Sequence, residues 1–330
     1  MAFKDISGNS RVKKILIKAL QRGRVPNSLL FCGPEGTGKR ETALVLAKAL
    51  NCQQKKDDAC EVCVPCKAVN AGNFPDVIEI QPEGNVLKIE QMRLIKDIVY
   101  RRPMIGKRRV FIVAEAEKMT DEAANSLLKI LEEPPLFSYI ILLTHNPFLL
   151  LPTIKSRCQI LNFLPISKED IEKILKDKGY ETEKARVLSL IVHGNLKQAL
   201  SLEWEEVQAK RGQAWQLFLS LLSKENLAQF LRAFTSSSRS FFREEWEELM
   251  EILSSFCRDL ILVKERSREQ LLMNPDYEQE IRKAEKQVSE KHLQELLAKI
   301  DYSMYGLQKN FNLSLLVSSF FLDIKDGEYV

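Results

Sequence analysis

Two textures of apolar residues alternate over the first half of the chain. Short apolar runs at 28–31, 77–80, 110–113, 139–143 and 160–163 are separated by stretches in which apolar residues recur at helical spacing. The helical stretches are 4–26, with Val12, Ile15, Leu16 and Ala19 on one side and Pro26 leading into the first run, then 41–50, 89–100 and 121–132. The last of these starts after Thr120, an N-cap residue, and stops before Pro134-Pro135. Strands alternating with helices predict a parallel α/β sheet.

Beyond Pro165 the pattern becomes helical throughout. Ser167-Lys168-Glu169-Asp170 reads as a capping box opening a helix that ends near Gly179. Thr182 reads as the cap of a second helix ending near His193-Gly194, and 196–202 as a third. From Gln213 to Tyr305 there is no glycine and one proline, Pro275. Trp246, Leu249, Leu253, Phe256, Cys257 and Leu260 fall at helical spacing there, as do Leu293, Leu296, Leu297 and Ile300. The division predicted is an α/β domain over 1–165 with a cysteine-bearing insertion at 52–66, a small helical domain over 166–208, and a helical bundle over 209–330. A chain of 330 residues is long enough for several cores.

Composition changes this picture little. The hydrophobic fraction is 45%, and Lys plus Arg exceed Asp plus Glu by 49 − 45 = 4, so charge neither demands nor excludes a nucleic acid. Arg101-Arg102 and Lys107-Arg108-Arg109 form a basic neighbourhood without interleaved aromatic residues, which reads first as a solvated face. The N-terminus carries no apolar leader, and the longest apolar stretch, 139–151, is broken by His145, Asn146 and Pro147. A cytoplasmic protein without a membrane span is expected. His145 and His193 stand too isolated to propose as ligands, and Cys32 and Cys257 fit as small buried apolar residues.

Four of the seven cysteines cluster with the spacing C-x₇-C-x₂-C-x₂-C. Cys60, Cys63 and Cys66 can turn three sulfurs toward one centre from a tight knuckle, and Cys52, ending the preceding helix, can supply the fourth. That makes a closed, structural tetrahedral Zn²⁺ site. Free thiols, disulfides and an iron–sulfur cluster are the alternatives.

The second chemical signal is Gly33-Pro34-Glu35-Gly36-Thr37-Gly38-Lys39-Arg40, between a strand and a helix. In that context backbone N–H groups cradle phosphate and the lysine reaches its outer oxygens. Gly33, Gly38 and Lys39 match G-x-x-x-x-G-K, with Gly36 inside the loop, but Arg40 stands where a metal-binding hydroxyl belongs. The strand at 110–113 runs into Ala114-Glu115, where an ATPase carries Asp-Glu for Mg²⁺ and the attacking water. Two metal-holding positions are therefore lost, while Glu115 remains. Thr144, ending a central strand, is placed to face a nucleotide phosphate. Arg157, in a loop before the last strand, reads without context as a solvated charge.

Together these residues resemble the clamp-loader branch of the AAA+ family. The resemblance is carried by the glycine loop, the four-cysteine insertion, Asn125-Ser126-Leu127-Leu128-Lys129-Ile130-Leu131-Glu132-Glu133-Pro134-Pro135, and Ser156-Arg157-Cys158. Gly194-Asn195-Leu196-Lys197-Gln198-Ala199-Leu200 is similar to the family's sensor 2 segment, with Lys197 where active relatives carry Arg. Asn310-Phe311-Asn312-Leu313 is similar to its final collar helix. The resemblance implies an AAA+ domain, a helical lid and a collar joining a five-subunit ring. Implied partners are the gamma/tau ATPase subunits, the delta subunit, primed DNA and, indirectly, the sliding clamp. It also implies that Arg157 acts as a trans arginine finger on ATP and Mg²⁺ held by the neighbour, in a subunit that does not hydrolyse ATP itself. Two readings stay open beside it: an autonomous ATPase with an atypical loop, and a zinc-stabilised DNA-binding module.

Overall fold

The computed structural model describes residues 1–223, 225–235, 243–265, 272–286, 288–309 and 311–326, so Asn310 of the last segment lies outside the described residues. The chain forms two compact units, Met1–Asp177 with Val192–Leu200, and Lys178–Ile191 with Ser201–Val330.

The first unit is built on a parallel five-stranded sheet of order β2-β3-β4-β1-β5. Its strands are β1 (Ser28–Cys32), β2 (Val77–Ile80), β3 (Arg109–Val113), β4 (Ser138–Thr144) and β5 (Gln159–Asn162), on the runs the apolar pattern marks. Burial explains the apolar runs within β1, β3 and β4, every residue of which is buried. Successive side chains serve opposite faces. Leu29, Phe31, Val110, Ile112, Ile141 and Leu143 pack with α1 (Ser10–Gln21) and α2 (Lys39–Asn51). Leu30, Phe111, Val113, Ile140 and Leu142 pack with α4 (Ile89–Val99) and α5 (Asp121–Glu132). Thr120 caps α5 as expected, its side chain accepting from the N–H of Ala123 at 3.2 Å.

The helix expected over 4–26 is shorter. A 3₁₀ turn at Phe3–Asp5 is followed by a break at Gly8 and Asn9, both at positive φ, before α1 starts. Tertiary contacts override the periodicity there. Asn9 donates to the carbonyls of Thr37 and Leu164, each at 3.0 Å, and its Oδ1 accepts from the N–H of Leu164 at 2.8 Å. One side chain thus ties the glycine loop to the chain leaving β5.

Three further helices complete this unit: α3 (Val64–Asn70), α6 (Pro152–Lys155) and α7 (Lys168–Asp177). Ser167 accepts the N–H of Asp170, the capping role read from its sequence. The second unit opens with α8 (Thr182–Ile191). This helix starts on Thr182 itself, with Glu181 supplying the first carbonyl, to Ala185. Residues 196–200 of α9 (Leu196–Ser201) also belong to the first unit.

Helices α10 (Trp204–Ser223), α11 (Leu227–Thr235), α12 (Arg243–Lys264), α13 (Glu278–Glu285), α14 (Glu290–Gln308) and α15 (Leu313–Asp326) make the all-helical remainder. Its core surrounds Trp246, Phe218, Phe256 and Leu260, and the Trp246 indole donates to Ser303 Oγ. Buried Arg211 is matched by Asp276 and Asn274, with its guanidinium over the Tyr277 ring. Cys257 is fully buried, as its apolar setting predicts.

Candidate phosphate loop, cysteine centre and arginine

The glycine loop leaves the carboxyl end of β1 and opens α2, so its backbone lies at a helix N-terminus. Gly33 and Gly36 are fixed by close approach as well as by positive φ. A Cβ on Gly33 would sit 2.2 Å from the carbonyl oxygen of Phe163, and one on Gly36 would sit 1.7 Å from Asn195 Oδ1. Gly38, also at positive φ, is the N-cap of α2.

Lys39 does not extend into open space. It is 6% exposed, and its Nζ donates to the carbonyls of Gly33 at 2.5 Å and Pro34 at 2.6 Å, within 3.5 Å of His145 Nδ1. Burial lowers its pKa against the raising effect of Glu117, Glu35, Cys32 and Glu41. Arg40 turns away toward β2 and pairs with Glu79, Nε–Oε2 2.8 Å and Nη2–Oε2 2.7 Å.

The acidic position is shifted as well. Glu115 lies in a left-handed turn and pairs with Lys118 at 2.7 Å. The acid near Lys39 is Glu117, which accepts the N–H of His145 at 3.1 Å and leaves its other oxygen, Oε2, buried without a partner among the described residues. Thr144 is fully buried, paired in register with Cys32, and its hydroxyl accepts the N–H of Asn146. Lys197 is exposed on α9, whereas Asn195 of the same segment packs over Gly36.

At the far end of α2 the four cysteines converge. The sulfurs of Cys52, Cys60, Cys63 and Cys66 all lie within 4.8 Å of one another, Cys60 to Cys66 at 4.0 Å. Tetrahedral thiolates at the usual Zn–S length stand ~3.8 Å apart, so the set fits zinc. All seven cysteines are free thiols in the structure. Burial raises both Cys60 and Cys66. At Cys60 the N–H groups of Cys63 and Val62 outweigh it and favour the thiolate, while at Cys66 burial prevails.

The knuckle is bolted to the unit through Glu61, which accepts from the Met1 amine at 2.6 Å, from buried Lys48 at 2.6 Å and from Asn70 at 2.7 Å. Those partners hold the Glu61 carboxyl down at about 2, against the raising effect of burial.

Arg157 follows α6. Its Nε donates to Glu132 Oε2 at 3.1 Å and its Nη1 to the Thr153 carbonyl at 3.1 Å, with 30% of the side chain exposed. Among the described residues Arg157 makes no hydrogen bond or ion pair with Lys39, Glu117 or Thr144. The basic neighbourhood, by contrast, is not wholly solvated. Arg109 is 4% exposed and pairs at 3.0 Å with Asp76, itself fully buried.

Profiles of two parts of one protein match this chain: that described as DNA polymerase III, delta subunit, over residues 8–167, and that of its C-terminal part over residues 209–326. The chain belongs to the DNA polymerase III delta-subunit family. The subunit delta′ of DNA polymerase III from Bacillus subtilis is 29% identical over 96% of both chains. The tau subunit from the same organism is 30% identical over 79% of this chain and half of its own length. A gamma-subunit-related protein from Thermotoga maritima, 20% identical, covers 95% of this chain and 98% of its own with a TM-score of 0.47.

In this family member the sequence named Gly33, Gly36, Gly38, Lys39 and the four cysteines at places the structure brings together. It missed His145, Glu117, Asn195 and Glu132, each of which meets its partner only through the fold. For Glu117 the one available signal was a second acid two residues beyond Glu115.

Proposed function

We propose that this chain is a clamp-loader subunit of the replicative DNA polymerase that does not hydrolyse ATP itself and supplies Arg157 in trans to ATP and Mg²⁺ held by a neighbouring gamma/tau subunit. One contrast carries the reading. Lys39 is engaged by its own loop and Arg40 by Glu79, with Ala114 at the second metal position, whereas Arg157 keeps Nη2 without a protein partner among the described residues. A guanidinium so oriented suits a developing phosphoryl charge, a contribution of roughly 10³ or more in rate where such fingers operate. Zn²⁺ on Cys52, Cys60, Cys63 and Cys66 is structural in this reading, since all four positions of the tetrahedron come from the protein. An AAA+ domain, lid and collar divided at 165 and 208 would seat the chain in a five-subunit ring with gamma/tau and delta, acting on primed DNA and, through its partners, on the sliding clamp.

The test is a loader reconstituted with the Arg157→Ala chain. Assembly should be intact, and ATPase stimulated by clamp and primed DNA should fall by the share of the site that Arg157 serves. Unchanged stimulated turnover removes the finger role. ATP hydrolysis by the isolated chain that disappears in Lys39→Ala would establish an autonomous ATPase instead.

A further inference from the structure

The connection from α4 to β3 is held in one shape by a buried ion pair. Asp76 accepts the N–H groups of Met104, Ile105 and Gly106, each at 2.8 Å. Its partner Arg109 donates to the carbonyls of Ile98 at 2.7 Å, Arg101 at 2.9 Å and Arg102 at 3.1 Å. Lys107 and Arg108 fasten the same connection to the end of α2, through the Cys52 carbonyl at 2.8 Å and Asn51 Oδ1 at 2.9 Å. Arg108 also donates to the Leu136 carbonyl at 2.9 Å, joining the α5–β4 connection to it.

These anchors present apolar side chains to water. Met104 is 76% exposed, Ile105 69%, Leu136 83% and Tyr100 55%. A buried ion pair is a poor device for stability alone, but it fixes backbone shape, and preorganised anchors lose little entropy on binding. Exposed large apolar residues gathered on a rigid frame mark an interaction surface. The connection itself carries only cations, with the exposed acids Asp97 and Glu132 at its margins. No Asp or Glu occurs from Ile98 to Ala114, and Arg101 and Arg102 are exposed; Glu133 is a further acid on the α5–β4 side.

We propose that Tyr100, Met104, Ile105 and Leu136, framed by Arg101 and Arg102, form a docking surface for an acidic peptide segment of a partner protein that carries an apolar anchor residue. The cations meet the acidic residues and the apolar anchor covers Met104 and Ile105. Duplex DNA fits poorly, because its phosphates would face those two side chains. A second copy fits poorly as well, because an isologous contact sets Arg101 and Arg102 of each chain near those of the other.

The probe is a fluorescein-labelled hexapeptide of four glutamates followed by leucine and phenylalanine, titrated with the full chain and followed by anisotropy. Saturable binding should weaken at least about tenfold in Met104→Ser/Ile105→Ser and in Arg101→Glu/Arg102→Glu. Arg101→Lys/Arg102→Lys should retain it, with melting temperature unchanged in all three. Should the serine variant misfold, the arginine pair decides alone. Absence of binding, equal binding of a hexapeptide with lysine in place of glutamate, or binding untouched by both substitutions would overturn the proposal. So would duplex-DNA binding or self-association that disappears in the Met104→Ser/Ile105→Ser chain.

Discussion

At the carboxyl ends of the strands, Lys39 folds back on the carbonyls of Gly33 and Pro34, and Arg40 pairs sideways with Glu79. At the amino ends, the Asp76–Arg109 pair and the four cysteines gather around the end of α2. Both ends carry a motif that is plain in the sequence. They differ in what the motif leaves free. The glycine loop keeps its backbone cradle, but its cations are occupied by the chain itself. The cysteine knuckle has four soft donors converging on one point, with no opposing cation among them. A motif predicts chemistry to the extent that its charged groups are still available after folding, and the two ends differ in what surrounds those groups.

The largest test of this contrast is at the cysteine end. Cys66→Ser should lower the zinc content of the purified chain from one per molecule toward zero and depress its melting temperature. Structural zinc contributes about 10–16 kcal/mol in small zinc-dependent domains, so even a fraction of that exceeds the other effects considered. A variant that retains one zinc and melts normally would erase the distinction between the two ends.

Asp76→Asn comes next, with an expected loss of about 3–5 kcal/mol in denaturant unfolding, because it leaves Arg109 buried without its counter-charge. Burial alone would raise the Asp76 pKa. The N–H groups of Gly106, Ile105 and Met104, with Arg109, outweigh it and hold the carboxyl below its ordinary value. A depressed folded pKa means that the stabilisation is complete above about pH 4, the unfolded carboxylate range, and is lost as pH falls through the folded value. Wild-type stability should therefore decline in acid more steeply than that of Asp76→Asn, measured by urea midpoints at stepped pH.

Gly36→Ala probes the glycine loop. The left-handed backbone at Gly36 costs a substituted residue about 1–2 kcal/mol, to which displacement of Asn195 adds. Gly36→Ala/Asn195→Gly should recover part of the loss. Full recovery would show that the contact, and not the backbone, dictates glycine.

The smallest effect on stability should come from Glu132→Gln. This partly exposed pair with Arg157 contributes about 0–1 kcal/mol. Its value lies in the second readout. If Glu132 orients the finger, loader ATPase should change while the melting temperature of the chain does not.

The strands were legible because every residue of the central ones is buried, so that each carries an apolar run. The Thr120 cap, the Ser167 cap and the cysteine spacing were legible because they act over a few residues. The break at Gly8 and Asn9 was not, since helical periodicity continued across it and the contacts that stop the helix come from Thr37 and Leu164. Arg109 looked like one more surface cation for the same reason. Its partner, Asp76, lies on a different segment, and nothing local distinguishes it from Arg101 or Arg102.

The sequence by itself determined the order of elements, the glycine loop, the missing metal-binding side chains at Arg40 and Ala114, and the four thiols at coordinating spacing. All of these are set by residue type and short-range separation. Only the tertiary structure decided which charges remain available. Arg40 meets Glu79 across 39 residues, Arg109 meets Asp76 across 33 and Arg157 meets Glu132 across 25. A charge is neutralised by what comes near it in space, and proximity over such separations exists only once the sheet has brought the strand ends together.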